Sequence, residues 1–135
     1  MKLIQEMAHI IKIKIYYEDT DCGGVVYYAN YLRYLERART EFMESKGLFL
    51  KTLKDQGIQF VVRHVDIDYI SPGHYGDTLK IETSINKAEG LRIIFENTIM
   101  NEKTDQILAK ARTTLICINE EFKPARIPAF VKEKL

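Results

Sequence analysis

The 135-residue sequence is poor in the features that staple, span or stretch a protein. It has two cysteines, Cys22 and Cys117, which make no disulfide framework and stand in no CxxC pair; the expectation is two reduced thiols in a cytoplasmic protein. No apolar run approaches the roughly 20 residues needed to cross a bilayer. The segment from Met1 to His9 carries Lys2 and Glu6 and lacks the apolar core of a signal peptide. Charge of either sign is not in excess: 20 Lys and Arg against 19 Asp and Glu leave +1, without the basic surplus of a dedicated nucleic-acid binder. The three histidines, His9, His64 and His74, form no HxxxH or HExxH pair, so no zinc site is expected. Ser45, Ser71 and Ser84 sit in no GxSxG elbow, and no GxGxxG or Walker sequence occurs. All three prolines, Pro72, Pro124 and Pro128, fall in the second half.

What remains is an ordinary globular balance, 46% hydrophobic and 29% charged, in a chain long enough for one domain spanning 1–135. Such a chain can bury roughly two thirds of its unfolded surface without metal or disulfide. Ile11, Ile13 and Ile15 alternate with lysines, the period of a strand with one wet face. After an acidic, glycine-containing turn at 18–24 the period changes. From Asn30, read as the N-cap, to Lys46 there is neither Pro nor Gly, and Gly47 supplies the stop. Leu32, Leu35, Ala38, Phe42 and Met43 form the stripe of a half-buried helix, with Arg37 and Glu41 spaced to pair across its other face. A short helical turn is expected within 48–56, ended by Gly57. The stretch 58–118 then reads as strands: one long region at 58–70, alternation from Leu79 through Ile85, again from Leu91 through Ile99, and a last strand at 107–118, with a tail after it. Short turns between strands require antiparallel pairing. The class is α+β. One helix covers one sheet face, so the other face or an edge calls for cover by oligomerisation.

The densest polar cluster is Glu18-Asp19-Thr20-Asp21-Cys22-Gly23-Gly24. A calcium loop would place Asp19, Asp21 and Gly24 at its first, third and sixth positions, but Asn30 then stands where a bidentate Glu is needed. Two readings stay open. In one the segment is a solvated Asx-rich turn without chemistry. In the other, Asp21 is a catalytic carboxylate just upstream of a helix N-terminus, with Gly24 permitting close backbone approach. Unpaired N–H groups at such a terminus suit a developing oxyanion. Cys22 is a poorer nucleophile, because neighbouring acids suppress its thiolate. The tyrosines at 16, 17, 27, 28, 31 and 34 crowd the same region and can pack as core or line an acyl pocket.

The run from Tyr16 to Tyr31, together with Glu36-Arg37-Ala38-Arg39-Thr40-Glu41, resembles the hotdog-fold acyl-CoA thioesterases, specifically the 4-hydroxybenzoyl-CoA thioesterase-like group and its Tol–Pal-associated branch. Ser71-Pro72, Tyr75-Gly76-Asp77, Ala111-Arg112-Thr113, Cys117-Ile118 and Lys123-Pro124 extend the resemblance over nearly the whole chain. It implies one long central helix wrapped by an antiparallel sheet of about five strands, in dimers or tetramers. It implies an acyl-CoA substrate of short-chain, long-chain or aroyl type, hydrolysed to free acid and CoA without metal or redox cofactor. Asp21 matches the family's catalytic carboxylate, as nucleophile or general base, and Tyr28 the position whose backbone N–H meets the thioester carbonyl. Many members of the branch carry His where this chain has Tyr28, a departure that leaves the backbone donor intact. The rival enzyme reading is a hotdog dehydratase, which usually recruits a His that no residue near Asp21 in sequence supplies. The rival from another class is a non-catalytic module binding acyl thioesters or acyl carrier protein.

Overall fold

The structure, a computed structural model, describes residues 8–135. The reading of the N-terminal segment through residue 7 lies outside them. Strand β1 (His9–Lys14) leads through a 3-10 turn (Tyr17–Asp19) into helix α1 (Asn30–Ser45) and a short helix α2 (Leu50–Asp55). Strands β2 (Gln59–Tyr69), β3 (Thr78–Glu89), β4 (Arg92–Asn101) and β5 (Ile107–Ile118) follow, then a final turn of helix, α3 (Ala129–Lys132). The expected α+β class is what forms.

All five strands pair antiparallel in the order β1-β3-β4-β5-β2. The strands adjacent in sequence from β3 to β5 are neighbours, as short turns dictate. β1 and β2 are the opposite edges, and α1 carries the chain between them across one sheet face. The register aligns Ile11, Ile81, Ile99, Ala109 and Tyr69 in one row across all five strands. That row ends at the β2 edge on Tyr69, a point that matters for the site.

Both helix stops follow from glycine. Gly47 and Gly57 adopt φ of 78° and 82°, a region that side chains disfavour. In each case the residue after the glycine donates its N–H five residues back, Leu48 to the Met43 carbonyl and Ile58 to the Leu53 carbonyl, both at 2.9 Å. This is the Schellman closure, and buried Leu48 supplies its apolar contact.

Three sequence expectations need correction. Leu32 is 43% exposed, and Tyr31 and Tyr34 take its place on the buried stripe beside Leu35, Ala38, Phe42 and Met43. Tyrosine bodies are apolar enough to turn the face by one position. Arg37 and Glu41 form no pair among the described residues; Glu36 and Arg39 do, at 2.9 Å. The segment after β5 is no loose tail: Ile127 and Val131 are buried, and the Ile127 N–H donates to the Gly90 carbonyl at 2.9 Å.

Candidate active site

The turn that follows β1 is a narrow hairpin. Thr20 and Val26 bridge its arms, the Asp21 N–H donates to the Val25 carbonyl at 2.9 Å, and the Tyr27 N–H to the Asp19 carbonyl at 2.9 Å. Its two aspartates have different work. Asp19 is spent on structure: its carboxylate accepts the Tyr16 N–H at 2.8 Å, closing the 3-10 turn, and its carbonyl also accepts the Asn30 Nδ2 at 2.8 Å. Asn30 is therefore not the N-cap. Ala29 holds that position, and the Asn30 side chain points back to tie the hairpin to the helix.

Asp21 is held more lightly. Its Oδ1 accepts the Gly23 N–H at 2.8 Å and its carbonyl the Gly24 N–H at 3.0 Å, while the side chain stays exposed. Gly24 has φ of 80°, and a Cβ there would meet nothing within 4 Å. Its positive φ is the left-handed conformation that favours glycine, and the space beside it is open. The tight position is Gly23, where a Cβ would lie 3.3 Å from the Asp21 carboxylate.

At the base of the hairpin the chain enters α1 through 3-10 bonds. Asn30, Tyr31 and Leu32 donate their N–H groups three residues back, to Tyr27, Tyr28 and Ala29 at 2.8, 3.3 and 3.1 Å. Among the described residues no protein acceptor takes the N–H of Tyr28 or Ala29. These are orphan donors at the positive end of a 16-residue helix. The peptide joining Tyr28 to Ala29 is fixed from its other side, because the Tyr69 hydroxyl donates to the Tyr28 carbonyl at 3.2 Å. Asp21 and Gly24 thus share the tip of the turn, and Tyr28 stands at its base.

Tyrosines surround that base. Tyr28 packs against Tyr27 at 5.1 Å and edge-on against Tyr69 at 5.9 Å between ring centres, and Tyr69 against Tyr31 at 5.5 Å. Burial pushes the hydroxyls of Tyr31 and Tyr69 up from their ordinary values, and that of Tyr34 further, with Asp19 nearby opposing its ionisation. Raised phenols are neutral donors at working pH and not bases. Of the acids in this turn, Glu18 and Asp21 are exposed, and Asp21 is the one fixed in the hairpin tip, by its bond from the Gly23 N–H.

The second wall is the loop after β2. The Val26 N–H donates to the Gly73 carbonyl at 2.8 Å, and His74 bridges Val25. Spacing along the chain does not connect His74 with the hairpin, and the fold brings it there; its ring lies 3.8 Å from the Asp77 carboxylate. Gly73 is buried, and a Cβ there would stand 3.1 Å from Ile15 Cδ1 and 3.3 Å from both the Tyr31 hydroxyl and Val26 Cγ2. Gly73→Ala is expected to cost about 1–3 kcal/mol, the usual penalty of overpacking, read as a lower Tm by calorimetry. An unchanged Tm would show that this wall yields freely. Among the described residues no group of three His, Cys, Asp or Glu side chains is arranged to hold a metal. Cys22 is exposed and free; Cys117 is free and buried, which pushes its thiol up. No helix of the described residues is long and apolar enough to cross a membrane.

Comparison with known proteins places this geometry. Residues 16–135 match the family model of the thioesterase-like superfamily. The acyl-CoA thioesterase YbgC of Haemophilus influenzae is 38% identical over 122 residues, covering 89% of this chain and 88% of the relative. The acyl-CoA thioester hydrolase YbgC of Escherichia coli is 35% identical over 117 residues, covering 86% and 87%. Among solved structures, a 1,4-dihydroxy-2-naphthoyl-CoA thioesterase from Synechocystis superposes with a TM-score of 0.87 at 28% identity, covering 94% of each chain.

Proposed function

The chain belongs to the thioesterase-like superfamily and is a hotdog-fold acyl-CoA thioesterase, and from that premise we propose that Asp21 and the open N–H groups at the start of α1 together carry out the hydrolysis. One contrast supports this reading above all: Asp19 is half-buried, with both its carboxylate and its carbonyl engaged in the turn, while Asp21 keeps an exposed carboxylate in the hairpin that leads to the unpartnered Tyr28 and Ala29 amides.

The thioester carbonyl oxygen accepts from the Tyr28 N–H, with the Ala29 N–H beside it, so that negative charge developing on oxygen meets donors already fixed in place. Two routes use Asp21. As nucleophile its carboxylate adds to the carbonyl carbon, the C–S bond breaks, CoA leaves as thiolate, and water then cleaves the mixed anhydride to free acid and regenerated Asp21. As general base it takes a proton from water while the water oxygen adds to the carbon, and the CoA thiolate departs on collapse. Gly24 shapes the turn that presents the carboxylate.

Asp21 and Tyr28 are exposed in a single chain, Tyr28 by 61%, whereas thioester chemistry at fixed dipoles gains from exclusion of water. A second copy covering this surface answers that need, and the two edge strands offer places for it. The reading is therefore a cytoplasmic homo-oligomer, dimer or tetramer, of one domain spanning 1–135. Its substrate is an acyl-CoA, with acyl carrier protein as a second possible donor of the thioester. The tyrosines around the helix entry give flat apolar faces suited to a compact or aromatic acyl group.

A panel of short-chain, long-chain and aroyl CoAs, followed by thiol release with a chromogenic disulfide across a dilution series, tests this. Turnover of at least one class, falling as the assembly dissociates, is expected. No release from any member would favour the non-catalytic binding module. Full activity from a monomer would contradict the shared site.

A further inference from the structure

The core is not continuous. One buried cluster lies toward the site and contains Ile15, Val26, Tyr31, Tyr34, Leu35 and Ala38. A second, around Phe42, Phe95 and Val131, lies toward the other end of the sheet. Between them runs a polar belt. Thr83, Asn97 and Thr113 are buried on adjacent strands, in the inward phase of alternation that otherwise carries Ile, Leu and Phe. From α1 a charge reaches one of them: Arg39, 7% exposed, lies 3.5 Å from Thr113 Oγ1 and 2.9 Å from its own helix neighbour Glu36. Asn97 donates to Thr83 Oγ1 at 2.8 Å and to the Glu82 carbonyl at 3.2 Å. On the β1 side of the same layer His9 pairs in register with Thr83 and packs edge-on against Phe42, with centroids 6.1 Å apart.

A buried ion is weak evidence for stability, since apolar replacements are often neutral or stabilising. Its clearer use is to select one alignment among several. A slip of α1 by one residue would turn the helix by about 100° and move it about 1.5 Å, taking Arg39 off the belt and onto isoleucine and phenylalanine. The apolar stripe resists that rotation as well, and Arg39 adds a cost specific to its own position, because a charge moved off Thr113 loses a buried partner. Arg39 lies nine positions after Asn30, roughly 13 Å along the helix, and the rod between them has no Gly or Pro to absorb a shift. The setting of the belt is therefore the setting of the Tyr28 and Ala29 amides, and such donors work only within about half an ångström of their place.

We propose that Arg39 is a positioning residue: seated against buried Thr113, it keys the rotation and height of α1 over the sheet and thereby places the oxyanion donors at the helix entry. The catalytic half of this statement rests on the function proposed above; the structural half does not.

The test uses Arg39→Met, Arg39→Lys and the milder, nearly isosteric Thr113→Val in the full chain. Arg39→Met is expected to keep or raise Tm, to leave KM within about twofold, and to lower kcat by roughly tenfold or more, as a misplacement transmitted from outside the site can. Arg39→Lys, which returns a charge to the belt, is expected to recover part of kcat, and Thr113→Val to lose a smaller part than Arg39→Met. Amide hydrogen exchange across 19–34, which needs no substrate, is expected to quicken in Arg39→Met under conditions where the sheet does not change. Wild-type kcat in a folded Arg39→Met, or a loss of folding in that variant while Thr113→Val matches wild type in kcat and exchange, would overturn the proposal. If the wild-type chain hydrolysed none of the CoA panel, the function would fail while faster exchange at 19–34 still upheld the key.

Discussion

Asp21→Asn is expected to lower kcat by about 10²–10⁴-fold, the contribution of a positioned acid–base or nucleophilic carboxylate, with Tm close to wild type. The substitution is nearly isosteric, and an amide oxygen can still accept the Gly23 N–H that Asp21 Oδ1 now takes at 2.8 Å. What it removes is basicity and charge at an exposed turn tip. KM is expected to change little, because the near-isosteric exchange leaves the shape of the turn intact. Asp19→Asn is the control. Its carboxylate holds the Tyr16 N–H at 2.8 Å, a charge-assisted bond whose weakening costs about 1 kcal/mol and a few degrees of Tm. Its kcat should stay within about threefold of wild type. If the hairpin were only a solvated turn, both variants would lose a little stability and neither would lose turnover selectively. Measuring kcat and Tm on both separates the cases, and an Asp21→Asn protein that retained more than about a tenth of kcat would remove Asp21 from the reaction.

Tyr28→Pro carries the second large effect. Proline deletes the Tyr28 N–H, the first of the two donors proposed for the carbonyl oxygen, and loss of a single oxyanion donor costs about 10²–10³-fold in kcat. Tyr28→Phe, which changes the side chain and keeps the amide, should fall by no more than about threefold. Position 28 precedes the helix, its N–H has no protein acceptor among the described residues, and its carbonyl stays available to Tyr69, so proline breaks no backbone bond there. The Tm of Tyr28→Pro, read alongside, guards against a distorted turn. Equal losses in the proline and phenylalanine variants would transfer the role from backbone to side chain.

The element boundaries were legible where local chemistry sets them. β5 runs over Ile107–Ile118, the stretch the sequence marks, and α1 ends at the glycine that can adopt a positive φ. The helix face was off by one position because Tyr31 and Tyr34 read as polar-tipped residues yet bury nearly all of their surface. Asn30 looks like a cap by residue type, but a partner eleven residues upstream claims its side chain. Such long-range choices leave no periodic trace. The same holds for the sheet order, in which β2 joins the far edge through β5, and for His74, which reaches Val25 only after the loop folds back. Asn97 stands in the buried phase of β4, where alternation predicts an apolar residue, and with Thr83 and Thr113 in the same phase of β3 and β5 it is the trace the polar belt leaves in the sequence. The motif at 16–31 points to Asp21 over Asp19, and the two differ in the structure by exposure, Asp19 being half-buried and Asp21 open to solvent.

The most direct test of the assignment of chemistry to Asp21 is a single-turnover experiment with enzyme in excess over an acyl-CoA the wild type accepts, since it reads bond cleavage apart from product release. Asp21→Asn should bind that acyl-CoA with a Kd close to the wild-type value and release its thiol at least about 100-fold more slowly. Thiol release at a rate within about tenfold of wild type, from a variant that binds as tightly, would contradict the account.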